Sequence, residues 1–299
     1  MTYTTGKCTA NCAFCPQARN SHSKTELLSR VSWPPLPTKR VLEAVENAYT
    51  NGKIKRVCIQ ALNYPNVFTH LATLAKAIKQ QVTIPVSVSC QPLNGENLRQ
   101  LADAGVNRIG IALDAATEKL FNEIKGSDVD GPYTWENQFK QLHKALEVFG
   151  NGNVSTHLIV GLGETENDII SLIQRCVDMG VSPALFAFTP VRGTTLEKKS
   201  QPLIESYRRV QLARYLIVNR HTRSEYMRFD STGCLTVYGV GKDTLTYIVE
   251  TGKPFLTSGC PDCNRPFYNE KPSGPIYNYP QNICWEEIKT IKQQLHLQP

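Results

Sequence analysis

The sequence predicts an α/β protein built as a parallel (β/α) TIM-type barrel, partial or complete, with an irregular C-terminal extension. Three observations predict it. From about residue 37 onward, short β-branched runs alternate with longer segments whose apolar residues recur at three- and four-residue spacing, the rhythm of β/α units. About six or seven such units fall within roughly 230 residues, which suits a barrel better than a doubly wound sheet with a second domain. The breaks Asn51-Gly52, Ala104-Gly105 and Met179-Gly180 place glycine where a positive φ is wanted just past a helix.

Taken in order, Thr2–Thr5 reads as a first strand. Arg56–Gln60, Val86–Cys90, Arg108–Leu113, Val154–Val160, Ala184–Thr189 and Tyr226–Phe229 follow as β-branched or alternating runs. Between them, helical periodicity covers Thr38–Asn51, Val67–Gln80, Gly95–Ala104, Tyr133–Val148, Thr165–Met179 and Ile204–Asn219. The segment from Gly259 to Pro280 is rich in Pro, Asn and Tyr and breaks the rhythm, and a short helix over Trp285–Leu295 closes the chain. Residues 1–240 are expected to form the barrel core and 241–299 the extension.

Composition sets the class. The chain has 299 residues, 41% hydrophobic and 20% charged, enough apolar content for a large core and too much for general disorder. No stretch approaches the roughly eighteen apolar residues of a membrane span, and Met1–Lys7 lacks the apolar segment of a signal peptide. A cytoplasmic protein with no membrane partner is expected. The net charge of +7 is spread along the chain rather than gathered, too dispersed to argue for nucleic acid. Ten cysteines in a chain of this length are too sparse for a disulfide-stapled secreted domain, so thiols or metal sites are expected.

Cys8-x-x-x-Cys12-x-x-Cys15 gathers three thiols directly after the first predicted strand, at the mouth of a barrel. Three thiolates leave one iron of a 4Fe-4S cluster open to another ligand. The alternatives are zinc, whose fourth ligand would have to come from elsewhere (the nearest imidazole is His22), or three unrelated buried thiols. Cys260-Pro-Asp-Cys263 alone supports zinc, a redox pair or a cluster. Cys58 and Cys90 end predicted strands and are either ligands or small buried apolar residues. Asp114 ends another and is either a ligand contact or a cap for the helix starting near Thr117.

The run Cys8-Thr-Ala-Asn-Cys12-Ala-Phe14-Cys15-Pro-Gln-Ala-Arg19 resembles the signature loop of radical S-adenosylmethionine (SAM) enzymes, in the form found among biotin synthase relatives. The resemblance implies that Cys8, Cys12 and Cys15 hold a 4Fe-4S cluster whose open iron chelates SAM. One electron then cleaves SAM to methionine and a 5′-deoxyadenosyl radical, the cofactor supplying the radical and the protein supplying position. It also implies that Phe14 belongs to the cofactor loop and that Asp114 bonds the ribose hydroxyls. His157-Leu-Ile159-Val-Gly161-Leu-Gly-Glu164 is similar to the family's adenine-contacting strand end, with Ile159 against the adenine. His157 stands where a glycine is usual.

The surroundings of Cys58 and Cys90 resemble the strands that carry the second cluster of biotin synthase. Ser155 stands where that family has a third cysteine, and its arginine ligand is expected near Asp230–Cys234, a segment that contains no arginine. Cys58, Cys90, Cys260 and Cys263, with Cys234 as the alternate, could instead supply four thiolates for an auxiliary 4Fe-4S cluster acting as sulfur donor, provided the tail folds back over the barrel mouth. The pattern as a whole, the tail included, is similar to archaeal-type two-component lipoyl synthases. That likeness implies sulfur insertion at C6 or C8 of an octanoyl chain on a carrier protein, octanoylated or already mercaptooctanoylated. It implies a homologous second synthase component and a reductase or ferredoxin as electron donor. Biotin synthase, or a relative acting on a free small molecule, is the alternative enzyme; an iron-sulfur or zinc scaffold is the alternative without catalysis.

Overall fold

A computed structural model describes residues 6–28, 31–32, 34–91, 94–261, 263, 270 and 273–297. The predicted strand Thr2–Thr5 lies outside the described residues. After the cysteine loop, β1 (Leu27–Leu28) and β2 (Val31–Ser32) form a two-residue antiparallel pair, and α1 (Thr38–Thr50) leads into the repeating part.

There β3 (Val57–Gln60), α2 (Val67–Gln81), β4 (Val86–Ser89), α3 (Gly95–Asp103), β5 (Arg108–Gly110), α4 (Glu118–Ile124), α5 (Trp135–Phe149), β6 (Val154–Val160), α6 (Glu166–Asp178), β7 (Ser182–Ala187) and α7 (Ile204–Val218) succeed one another. The five strands pair in parallel in chain order, β3-β4-β5-β6-β7, so each crossover returns its strand to the adjacent place. This is a partial TIM-type barrel. Helix starts are fixed by side chains the sequence carries at those points. Thr117, Thr134 and Asn94 each accept a bond from the third residue onward, and Thr165 forms a reciprocal capping box with Asp168.

Alternation along the strands separates two faces. Ile59, Val86, Val88, Ile109, Leu158 and Leu185 are buried with the helices in the main core, the apolar layer that stabilises a β/α sheet. Cys58, Ser87, Ser89, Gly110, Ser155 and His157 alternate with them and therefore line the opposite, concave face. The ladder of β5 is shorter than predicted, but its line continues. Ile111 N–H donates to Ser155 O at 2.9 Å and Asp114 N–H to His157 O at 2.8 Å, carrying the chain along β6 to Asp114.

The last predicted strand does not join this sheet. Its end, β8 (Arg228–Phe229), pairs antiparallel with β9 (Leu235–Val237). The intervening Asp230 accepts from the N–H groups of Thr232 and Cys234, and Gly233 has φ 80°, the chemistry of a tight reversal. A helix the sequence reading missed, α8 (Lys242–Glu250), follows, and α9 (Trp285–Gln294) closes the chain near its expected bounds.

The C-terminal segment is tied to α7 by Arg208, which is 1% exposed. Its guanidinium donates to Tyr277 O and Ile276 O at 2.6 Å each and to Gln294 Oε1 at 3.0 Å. The tail then runs beside β7, where Leu185 N–H donates to Ser258 Oγ at 2.8 Å. Among the described residues no helix is long and apolar enough to cross a membrane.

Candidate functional site

The cysteine loop is closed by its own backbone. Cys8 N–H donates to Gln17 O at 2.8 Å, Arg19 N–H to Ala10 O at 2.8 Å and Cys15 N–H to Cys12 O at 3.0 Å. Lys7 Nζ bridges Pro16 O and Ser23 O at 2.7 and 2.5 Å. The loop is then docked on the C-terminal side of the sheet, through Thr9 N–H to Asn63 O (2.8 Å) and Ala13 N–H to Ile124 O (2.7 Å).

All three cysteines line one cleft of about 250 Å³, together with Phe14, Asp114, Tyr133, Ile159 and Phe186. The Asn63 N–H donates to Cys8 Sγ at 3.2 Å. Burial raises the thiols of Cys12 and Cys15, the latter to about 12. Buried thiols such as Cys12 and Cys15 share a cleft as thiolates only with a metal group to take up their charge. Among the described residues no three His, Cys, Asp or Glu side chains converge on a single-ion site, and His22 does not line the cleft. One zinc needs its ligands to converge; a four-iron cluster binds each thiolate at its own iron. The donor set fits the cluster.

Asp114 is buried and lies in the left-handed region, φ 65°. It does not cap α4, because Thr117 does. Its Oδ2 accepts from Lys125 Nζ at 2.7 Å. Gly161 and Glu164 stand apart from the other expected cofactor residues, since neither lines the cleft. Glu164 turns back on its own loop, accepting from the N–H groups of Gly161 (2.6 Å), Leu162 (3.0 Å) and Gly163 (3.0 Å). Gly161 has φ 103°, and a Cβ there would lie 2.8 Å from Pro202 Cδ. These two residues shape the turn that ends β6 and leave Ile159 to face the ligand space. His157 also lines the cleft, stacked on Phe186 with ring centroids 4.8 Å apart.

The second set of cysteines divides. Cys90 shares the parity of Val86 and Val88 and is buried, 5% exposed, in the apolar core; burial raises its thiol to about 12. It is thus turned away from Cys58, contrary to its expected place in a common ligand set. Cys58 is on the concave face in direct register with Ser87, which in turn pairs with Arg108. Ser87 Oγ lies 3.4 Å from Cys260 Sγ and accepts from Arg56 NH1 at 3.1 Å. Among the described residues, the Nε atoms of Arg56 and Arg108 are buried without a hydrogen-bond partner, a cationic lining suited to an anionic occupant.

Cys260 and Cys263 also line a second cleft of about 320 Å³, with Arg214, Lys253 and Tyr279, which shares no residue with the first. Cys260 therefore meets the sheet near the start of β4. Cys234 lines neither cleft. It sits in the β8–β9 reversal, its sulfur 3.4 Å from Thr232 Oγ1. Lys125, Tyr133, Ser87 and the two arginines carry no motif, and only the folded chain brings them to these positions.

The Radical SAM superfamily model matches residues 2–176. The chain belongs to the radical SAM superfamily. A biotin synthase of Sulfurihydrogenibium sp. is 30% identical over 198 residues, 65% of this chain and 55% of that protein, so the match spans about half of that relative's length. A biotin synthase of Prochlorococcus marinus is 24% identical over 297 residues, 96% of this chain and 83% of that protein. In fold, the chain is similar to methylornithine synthase (TM-score 0.53, 16% identity, 73% of this chain and 60% of that one). It is also similar to the hydrogenase maturase HydG from Carboxydothermus hydrogenoformans (TM-score 0.54, 17% identity, 72% and 50%). Its relatives thus include biotin synthases, and membership of the radical SAM superfamily implies a 4Fe-4S cluster with SAM. Such a cluster supplies one-electron chemistry able to remove hydrogen from an unactivated carbon.

Proposed function

We propose that this radical SAM enzyme is a sulfurtransferase that inserts sulfur into an unactivated C–H bond, C6 or C8, of an octanoyl chain carried by a protein. In this reading Cys8, Cys12 and Cys15 hold the cluster, Asp114 accepts from the ribose hydroxyls of SAM, and Ile159 packs on the adenine. One observation carries the reading. Gln60 and Ser89 line the first cleft, and Cys58 and Ser87, with Cys260 against it, lie two residues below them on the same strands. Two residues of strand span about 6.6 Å. A sulfur held there is one side-chain layer beneath the ligand space, and trapping of a carbon radical requires the substrate carbon to reach down to within about 3–3.5 Å of it.

Cys58, Cys260 and Cys263 are the sulfur-donor ligands in this proposal, in an auxiliary 4Fe-4S cluster flanked by Arg56 and Arg108. Hydrogen abstraction from an alkyl carbon needs no general base, and Phe186, Phe188 and Val191 give the cleft an apolar wall for an acyl chain. The partners are an octanoylated or mercaptooctanoylated carrier protein, a homologous synthase component that performs the other insertion, and a reductase or ferredoxin.

Biotin synthase is the second reading, supported by the biotin synthases among its relatives and by the polar floor of Gln60, Ser89 and Gln91, which suits a polar small molecule. The deciding experiment offers the reconstituted, reduced protein SAM with either an octanoyl-lysine peptide or dethiobiotin. Sulfur appearing in the peptide supports the first reading; conversion of dethiobiotin alone overturns it in favour of the second.

A further inference from the structure

We propose that Lys125 is a positioning residue that fixes Asp114 for the nucleoside end of SAM. The inference rests on the ribose role of Asp114 given above. Lys125 caps the C-terminus of α4 and is 0% exposed. Its ammonium donates to Ala112 O at 2.9 Å and to Asp114 Oδ2 at 2.7 Å. It lies 5.0 Å from the ring centre of Tyr133 and 5.5 Å from that of Phe121, within the range of cation–π attraction.

Ala112, Asp114 and Tyr133 line the first cleft; Lys125 does not. Its charge therefore acts on the ligand space through these three residues. Desolvating an ammonium has a large cost unless it is paired and hydrogen-bonded, and Lys125 meets both conditions through Asp114 Oδ2 and Ala112 O. With Oδ2 held by Lys125, Oδ1 is the carboxylate oxygen offered to a ligand in this proposal.

The same lysine follows Ile124, whose carbonyl accepts from Ala13 of the cysteine loop at 2.7 Å. A Cβ at Gly131 would lie 1.9 Å from Lys125 O, so the 126–131 loop closes directly on it. The backbone at Ile124 thus anchors the cluster loop, while the Lys125 side chain anchors the ribose acceptor.

The test measures binding to the reconstituted, unreduced full chain, using SAM and 5′-methylthioadenosine, which keeps the nucleoside and lacks the amino-acid group. Asp114→Asn and Lys125→Met are each expected to weaken methylthioadenosine about 10-fold, the loss of one charge-assisted bond. SAM affinity should fall by the same factor, and the iron content and EPR signal of the reduced cluster should stay unchanged. The double variant should be no weaker than the worse single one, as for residues acting as one unit. Lys125→Gln, which keeps a donor toward Ala112 O, should show a smaller loss; it and the double variant carry the test if Lys125→Met does not fold.

Loss with Asp114→Asn but none with the Lys125 variants overturns the proposal and leaves the ribose reading standing. No loss with Asp114→Asn overturns the ribose reading itself. A Lys125 loss confined to SAM overturns the proposal by placing the lysine at the amino-acid end.

Discussion

Ser87 Oγ and Cys260 Sγ lie 3.4 Å apart, although 173 residues separate them in sequence. This contact brings the C-terminal Cys-x-x-Cys against the concave face of the sheet, beside Cys58. Cys90, three strand positions beyond Ser87 and therefore on the opposite face, is excluded from the group.

The cysteines should therefore separate by function. The double variant Cys260→Ala, Cys263→Ala should still cleave SAM and transfer no sulfur, and Cys58→Ala should behave likewise. Cys90→Ala should keep sulfur transfer and lose about 1 kcal/mol of stability through a small core cavity. Methionine release, product mass spectrometry and denaturant titration on the same preparations check this; sulfur transfer surviving in the double variant contradicts it.

Arg208 places that tail. Arg208→Ala strands the carbonyl of Ile276, leaves that of Tyr277 with Gln211 Nε2, and frees Gln294, removing several charge-assisted bonds at about 1.5–3 kcal/mol each before relaxation. The expected result is faster proteolysis after residue 250 and loss of sulfur transfer, with SAM cleavage retained. Limited proteolysis with peptide mapping reads the first effect directly.

Glu164 supplies a pH signature. Burial raises its carboxyl above the ordinary glutamate value, against the opposing pull of the Gly161, Leu162 and Gly163 amides. A carboxyl raised on folding binds more protons in the native state than in the unfolded one. Its contribution is present below the unfolded pKa and is lost as pH rises through the folded one. The stability of the natural protein relative to Glu164→Gln should accordingly fall as pH rises through the carboxylate range, which thermal unfolding of the pair at a series of pH values measures.

The β/α rhythm was legible because each strand pairs an apolar core face with a short polar one, as in Val86-Ser-Val-Ser89, and because Thr117, Thr134 and Thr165 mark helix starts. The cysteine triad was legible because its spacing is local. What sequence alone could not show depends on distant pairing. Cys90 reads as a strand-end ligand until the register puts it with Val88. Tyr226–Phe229 reads as a further barrel strand until Asp230 and Gly233 turn it into a hairpin. Glu164 reads as part of a cofactor motif, yet its carboxylate is consumed by the turn it belongs to. Lys125 carries no motif at all; its role arises from α4 ending against the line of β5.

The most direct measurement is the iron and labile sulfide content of the anaerobically reconstituted chain, with Mössbauer spectra, compared with the variant carrying alanine at Cys8, Cys12 and Cys15. Two 4Fe-4S clusters give about eight irons in the natural protein and about four in the variant. About four irons in the first and none in the second contradicts a cluster-borne sulfur donor at Cys58, Cys260 and Cys263.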